Sequence, residues 1–295
     1  MALQRLFVVT ILVVALTSGL VESEEPKVRI ELTGAWIDVD PNLKALWARS
    51  LDTPDEYSQK MVSGGSSFGF SELKVLVPVR RIEIFGGYER EPSFEAAVTT
   101  ESIFNPPSRW VATGSARVEA FDAGIAVPLS FGSRFELRPW GGVSYIRVQE
   151  QWSSDGWREW YIDATSNHLI DIDSSKELWG VTYGAEAVLS FTKWLALSAR
   201  AFQRWGAGTW NEEWQDKYYE YPLPYEPGDA PVYSEVHNGT NSSKVTVMMF
   251  GLDLGLRATI ARWIALESGW RYRDWSYDRG PGSYDGPYVR FALAF

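Results

Sequence analysis

The sequence predicts an all-β protein: one closed, antiparallel transmembrane β-barrel of about ten strands. Three observations predict this class. Segments of ten or so residues alternate apolar and polar side chains, which is typical of strands with one apolar face. Aromatic residues are abundant, with 15 Trp, 14 Tyr and 14 Phe in 295 residues. The chain ends in an alternating segment, YVRFALAF, that closes on an aromatic residue.

The first 23 residues predict an export signal that is not part of the fold. Arg5 precedes an eleven-residue apolar run, LFVVTILVVAL, and small and polar residues follow it. This order is typical of a secretory signal peptide, and the run is shorter than the roughly 20 residues of a transmembrane helix. We expect cleavage after Ser23, or alternatively after Gly19, and a barrel over residues 24–295.

Period-two alternation places the strands. In 178–191, for example, Trp179, Val181 and Tyr183 share one face, whereas Thr182 and Glu186 share the other. The expected strands cover 28–39, 67–77, 81–91, 115–131, 133–150, 178–191, 193–210, 245–260, 262–277 and 285–295. An even number of strands brings both chain ends to the same side of the membrane.

The connections alternate in length. Short turns are expected at 78–80, 132, 192–193 and 261–262, and long loops at 40–66, 92–114, 151–177 and 211–244, with a shorter one at 278–284. Short periplasmic turns and long external loops are typical of outer-membrane barrels. Aromatic residues near strand ends predict interfacial girdles; they are Trp140, Trp179, Trp194, Trp263, Phe131 and Phe191.

The faces opposite the apolar ones should line the lumen, and they carry nearly balanced charge. Nine cations are expected there: Arg29, Lys74, Arg138, Arg200, Arg204, Arg257, Arg271, Arg273 and Arg290. Eight anions accompany them: Glu31, Glu72, Glu83, Asp122, Glu136, Glu186, Asp253 and Glu267. Because desolvated charges must pair, and because barrels of about eight strands are filled by side chains, we expect an occluded lumen with an ion-pair network. A narrow solute path along the arginines is the alternative.

Charge also bears on partners. The net charge is −10 and the pI about 4.9, which argues against nucleic acid. The expected loops 151–177 and 211–244 are acidic, and the second is rich in Tyr and Trp. Such a rim would attract cationic peptides, or it would keep the loops hydrated above a lipopolysaccharide surface.

The layout resembles that of the omptins, outer-membrane endopeptidases of Gram-negative bacteria. The shared features are about ten strands, just under 300 residues, loops that rise beyond the strands, and a terminal strand of the type YVRFALAF ending at Phe295. The resemblance implies a place in the outer membrane, contact with its lipid and lipopolysaccharide, and recognition of Phe295 by the insertion machinery.

Omptins activate a water between two aspartates of the second loop and an Asp–His pair of the fourth. This chain departs from both, since its second loop has no aspartate and its fourth loop has Glu235 and His237. Glu89, Glu91, Glu235 and His237 are therefore the candidate catalytic residues; otherwise His237 is an ordinary loop residue. The chain has no Cys and no His-x-x-x-His motif, and no metal or cofactor is expected. We expect a non-enzymatic surface barrel first, and an altered endopeptidase or a narrow channel as alternatives.

Overall fold

In this computed structural model, all regular structure of the described residues is β. The structure describes residues 28–39, 57–63, 67–90, 94–102, 108–159, 164–222, 230–261, 263–277 and 280–295, so the expected signal peptide lies outside the described residues. The strands are β1 (Arg29–Val39), β2 (Tyr57–Ser63), β3 (Ser67–Val79), β4 (Ile82–Arg90), β5 (Phe94–Ser102), β6 (Ser108–Ala126), β7 (Leu129–Phe131), β8 (Phe135–Glu159), β9 (Ala164–Ser190), β10 (Leu195–Pro222), β11 (Tyr233–Ala261), β12 (Ile264–Tyr277) and β13 (Gly280–Ala294). In these ranges no helix is long and apolar enough to cross a membrane.

Strand pairing closes the sheet into a ring of ten. The order runs β6-β4-β3-β1-β13-β12-β11-β10-β9-β8, and β8 pairs with β6 to complete the circuit. Every pair is antiparallel. The strands β2 and β5 prolong β3 and β4 at one end of the ring, and β7 prolongs β6 at the other. The predicted closed antiparallel barrel of about ten strands is confirmed.

Short turns mark one end of the barrel, called the lower end below. Arg80 (φ 59°) and Gly132 (φ 66°) adopt left-handed conformations in two of these turns. In a third turn, the Thr192 hydroxyl accepts hydrogen bonds from the backbone N–H groups of Trp194 and Leu195. The described ends of the chain meet here as well, because Phe295 donates its N–H to the carbonyl of Val28 at 2.9 Å.

The strands run much farther at the upper end than the sequence predicts. Most described residues of the expected loops 151–177 and 211–244 belong to β8, β9, β10 and β11, and the expected loops 40–66 and 92–114 contain β2 and β5. On β10, for example, the apolar alternation stops near residue 210, because water contacts both faces of the strand beyond the membrane. The backbone hydrogen-bond ladder continues past that point. Apolar periodicity therefore marks the lipid-facing part of each strand and not its end.

The outer wall carries two aromatic bands. The upper band is a chain of neighbouring rings, Phe70, Tyr88, Phe121, Tyr145 and Trp179, with centroids 4.8–6.4 Å apart. Exposed aromatic residues at the lower end are Phe131, Phe191, Trp194 and Trp263. Along β9 and the residue that follows it, twelve positions separate Trp179 from Phe191, which is about 30 Å along the axis at roughly 3.3 Å per residue and a ~40° tilt. That spacing matches the apolar thickness of a bilayer.

Trp140 does not belong to a girdle, contrary to the sequence-based expectation. It is 7% exposed, and the ammonium of Lys74 lies 4.6 Å from its ring centroid. Trp140 is two positions from Arg138 on β8, so the two side chains point to the same face of the strand, into the lumen. We call two residues of one strand that share a face residues of the same parity. Its position near a strand end suggested a girdle, but parity decides the face.

A glycine pair on the facing strands β9 and β10 gives the first prediction. A Cβ on Gly180 would lie 1.7 Å from the carbonyl oxygen of Trp205, whereas one on Gly206, its cross-strand partner, would come no closer than 3.2 Å to Leu178 Cβ and 3.4 Å to Ile146 Cδ1. We expect Gly180→Ala to lower the free energy of unfolding by about 3 kcal/mol and Gly206→Ala to change it far less. Guanidinium unfolding in micelles would compare them; equal effects would contradict the close backbone approach.

Candidate functional site

A balanced layer of charge fills the middle of the lumen. We call it the central layer, and each of its ten residues is less than 8% exposed. Its five carboxylates and five guanidinium groups belong to Glu72, Glu89, Asp122, Asp253, Glu267, Arg200, Arg204, Arg271, Arg273 and Arg290. Equal numbers of the two charges allow complete pairing, which a desolvated interior requires.

Asp253 on β11 holds one side of the central layer together. Its carboxylate accepts hydrogen bonds from Arg271 (3.1 Å), Arg273 (2.7 Å) and Arg290 (2.7 Å). The first two arginines lie on β12 and the third on β13, so one carboxylate ties three neighbouring strands. Arg290 also donates to Glu267 at 2.7 Å.

Contacts across the ring show that the side chains fill the lumen. Arg204 on β10 binds Asp122 on β6 and Glu89 on β4. Glu89 also accepts from Arg273 at 2.9 Å, and Glu72 on β3 accepts from Arg200 at 2.6 Å and from Arg271 at 2.8 Å.

The ring of Phe202 is packed among the same cations. The guanidinium carbons of Arg204 and Arg273 each lie 4.7 Å from its centroid, and that of Arg200 lies at 5.5 Å. Gly251 makes room for the ring, since a Cβ there would be 2.3 Å from Phe202 Cζ. An aromatic face stabilises cations that are already desolvated.

A second charged group, the lower layer, lies toward the short turns. Its members are Glu31, Glu83, Glu136, Glu186, Arg29, Lys74, Arg138 and Arg257. Arg138 binds Glu83 at 2.9 Å and Glu186 at 3.1 Å, and it also binds Glu136. Arg257 reaches Glu186 at 3.9 Å, and Arg29 binds Glu31 at 3.0 Å.

An apolar layer covers the central layer on the upper side. It consists of the buried side chains of Ile146, Val148, Leu178, Val245, Val247 and Met249. The cavity beside Arg204 and Asp122 in the central layer has a volume of only about 10 Å³, which is room for one water molecule. Along the described walls, two charged layers and one apolar layer therefore occupy the lumen.

The described candidate catalytic residues do not come together at one site. Glu89 belongs to the central layer, where it contacts Arg204 and Arg273, and Glu91 lies outside the described residues. His237 pairs with Asp216 on β10, twelve positions beyond Arg204, which is about 40 Å at roughly 3.3 Å per residue. A water molecule cannot be held between Glu89 and His237 at that separation.

Glu235 and His237 do contact each other near the upper end of β11. Their Oε1 and Nε2 atoms are 3.0 Å apart, and the side chains are 45% and 53% exposed. Tyr233 donates its hydroxyl to the same glutamate at 2.9 Å. On neighbouring β10, burial and the bond to the Glu220 carboxylate raise the pKa of Tyr218 to about 12. No group of three or more His, Asp and Glu within the described ranges could hold a metal ion.

A polar cleft lies on the outer wall above the upper aromatic band. Its volume is about 540 Å³, and Arg90, Arg117, Gln149, Asp173 and Asn211 are among its lining residues. Arg117 also binds Glu119, which accepts the hydroxyl of Tyr88 at 2.8 Å. The upper aromatic band is thus directly next to a charged surface that can form hydrogen bonds.

The sequence pattern contained a signal for Glu89. Eight anions were expected against nine cations, so one carboxylate was missing from a lumen that must be neutral. Glu89 has the same parity as Glu83 on β4 and is that ninth anion, whereas its position near a loop suggested catalysis. The apolar layer left no comparable signal, because its residues place apolar side chains on the inner face of strands whose outer face is also apolar.

Comparisons with known proteins find similarity only among solved structures. No protein-family model matches the sequence, and no curated protein matches it. The outer membrane protease OmpT from Escherichia coli is 8% identical with a TM-score of 0.40, over 93% of this chain and 99% of that chain. The toluene transporter TodX of P. putida is 6% identical (TM-score 0.32; 91% and 90% covered), and the transport unit of the autotransporter AIDA-I from Escherichia coli is 8% identical (TM-score 0.34; 94% of both). These chains are similar to this one in barrel layout, and the likeness extends to no activity.

Proposed function

We propose that the chain is an outer-membrane barrel with a sealed lumen, which serves as a membrane-anchored platform and not as a pore. The platform carries the extensions, by which we mean the parts of β8, β9, β10 and β11 above the upper aromatic band. The central layer carries this proposal, because ten buried charges in equal numbers bind one another across the ring. Charged side chains that line aqueous channels remain hydrated and exposed, whereas these are desolvated and paired.

The proposed partners follow from the outer wall. Lipid would contact the wall between the aromatic bands, and the lipid headgroups, including lipopolysaccharide, would meet the arginines of the polar cleft. The extensions of β8–β11 would then project outside the cell. Phe295 is exposed at the lower end, where the insertion machinery would contact it from the periplasm.

Conductance tests the sealed lumen. In planar bilayers the folded protein should show no stepwise current at moderate voltage, because the central layer and the apolar layer block the path. Regular conductance steps from the wild-type protein, altered by Arg200→Ala or Arg271→Ala, would establish a channel instead.

Peptide cleavage tests the endopeptidase alternative. With Glu89 about 40 Å from His237 along the strands, the detergent-solubilised protein supplemented with lipopolysaccharide should leave a dibasic fluorogenic peptide intact. Cleavage that His237→Ala abolishes would contradict the proposal.

A further inference from the structure

The upper part of β11 is an open sheet edge. Its pairing with β10 extends up to Tyr233, but its pairing with β12 reaches only Val247. Within the described part of the chain, residues 233–246 therefore have a strand on one side only. Almost every residue from 231 to 244 is exposed, on both faces of the strand.

The ladder shows which backbone groups point to the open side. Thr259 donates its N–H to the carbonyl of Trp194, on the β10 side, and the pairing between β10 and β11 runs from there to Tyr233 without a shift. Because successive residues of an antiparallel strand face opposite neighbours, odd-numbered residues of β11 face β10. The seven even-numbered residues from Ser234 to Thr246 offer their N–H and C=O groups to the open side. Such a row is a template for another strand.

The side chains around this edge select a basic occupant. The upper parts of β9, β10 and β11 (166–177, 211–222 and 233–244) carry eight carboxylates but only three lysines, namely Asp171, Asp173, Glu177, Glu212, Glu213, Asp216, Glu220 and Glu235 against Lys176, Lys217 and Lys244. The ring of Trp214 lies over Gly239, since a Cβ there would be 2.4 Å from it. It gives a flat apolar surface beside the edge on which a side chain of an added strand can pack.

A second copy of the chain fits this edge poorly. Two copies in one membrane would bring acidic extensions together, and their β11 strands would run in the same direction. An unanchored peptide can pair in the antiparallel direction and carry the complementary charge.

We propose that the open edge of β11, residues 234–246, binds an extended, lysine-rich segment of another polypeptide by β-strand addition. Backbone hydrogen bonds would supply the affinity, and the acidic extension would supply the preference for positive charge. The inference rests on the proposed function only in that the extensions must lie outside the membrane.

A pair of synthetic peptides tests strand addition against simple charge attraction. One is a fluorescein-labelled peptide of about ten alternating lysine and threonine residues; the other has the same sequence with an N-methyl group on every backbone nitrogen, so that neither of its edges has an N–H to donate. Both carry the same charge, but the second cannot pair as a strand. Anisotropy titration of the full mature protein in micelles should give at least about tenfold weaker binding of the methylated peptide. Equal binding of the two would overturn the proposal.

Two variants at one position locate the site. Thr240→Pro removes an N–H on the open side and leaves the β10 ladder intact, so we expect about tenfold weaker binding of the unmodified peptide. Thr240→Val keeps the N–H and should bind like the wild type. Heat-dependent gel migration reports whether each variant is folded, and the methylated peptide tests the proposal without any variant.

Three other results would overturn it. They are equal binding by folded Thr240→Pro, no binding of either peptide to the wild type, and a wild-type dimer in light scattering that Thr240→Pro abolishes, which would assign the edge to a second copy. None of them bears on the sealed lumen, which the conductance measurement tests separately.

Discussion

Asp253→Asn should lower the free energy of unfolding by about 3–5 kcal/mol, the usual cost of breaking a buried charge pair from one side. Asp253 is 1% exposed and accepts hydrogen bonds from Arg271, Arg273 and Arg290. An asparagine there keeps the shape but leaves one guanidinium charge without its counter-charge. It also presents an NH₂ group, which repels the N–H donors that surround it.

Guanidinium unfolding of the refolded protein in micelles would measure this loss. The matched control is Asp171→Asn, the same chemical change on the exposed part of β9, where Lys217 lies 3.9 Å away. An exposed ion pair contributes less than about 1 kcal/mol, so the control should unfold almost like the wild type. Similar midpoints for both variants would mean that Asp253 is hydrated and that the central layer is not sealed.

Phe202→Ala should cost about 3–5 kcal/mol, the range for deleting a buried phenylalanine. Phe202 is 3% exposed, and its loss would leave a cavity among Arg200, Arg204 and Arg273. Those cations would also lose the aromatic face beside them, worth up to about 2 kcal/mol when desolvated.

Two comparison variants separate packing from the cation contacts. Phe202→Leu retains most of the volume and should cost clearly less than Phe202→Ala. Phe250→Ala, on the outer face of β11, forms no internal cavity and should have a smaller effect than either. If Phe250→Ala proved the more damaging of the two alanine variants, the assignment of inner and outer faces on β10 and β11 would be wrong.

The barrel could be predicted from the sequence because lipid imposes a strict constraint. Every lipid-facing position must be apolar while its neighbours face the lumen, so the alternation in 178–191 and 245–260 indicates both the strands and their sides. Above the upper aromatic band that constraint disappears. The segments 211–222 and 233–244 are strands held by their backbone ladder, and their polar residues resemble loops in any pattern based on hydropathy.

The lumen network was only partly predictable for a related reason. Parity identifies which residues face inward but not which partners they reach across the ring. The ion pairs of Arg204 with Asp122 and Glu89 depend on the closure of the barrel between β6 and β8 and on the stagger of the strands. Glu89 was therefore placed with the catalytic candidates, although the excess of one cation already required another carboxylate.

Reaction of a lumen cysteine with a charged thiol reagent tests the sealed interior most directly. The natural chain has no cysteine, and Ser144, which is 1% exposed and pairs with Asp122 at the level of the central layer, differs from cysteine by one atom. In the refolded protein, Ser144→Cys should not react with an aqueous cationic methanethiosulfonate until the barrel is unfolded, whereas Asp171→Cys on the exposed extension should react within seconds to minutes. Reaction of Ser144→Cys in the folded barrel as fast as that of Asp171→Cys would show a water-filled lumen and contradict the account.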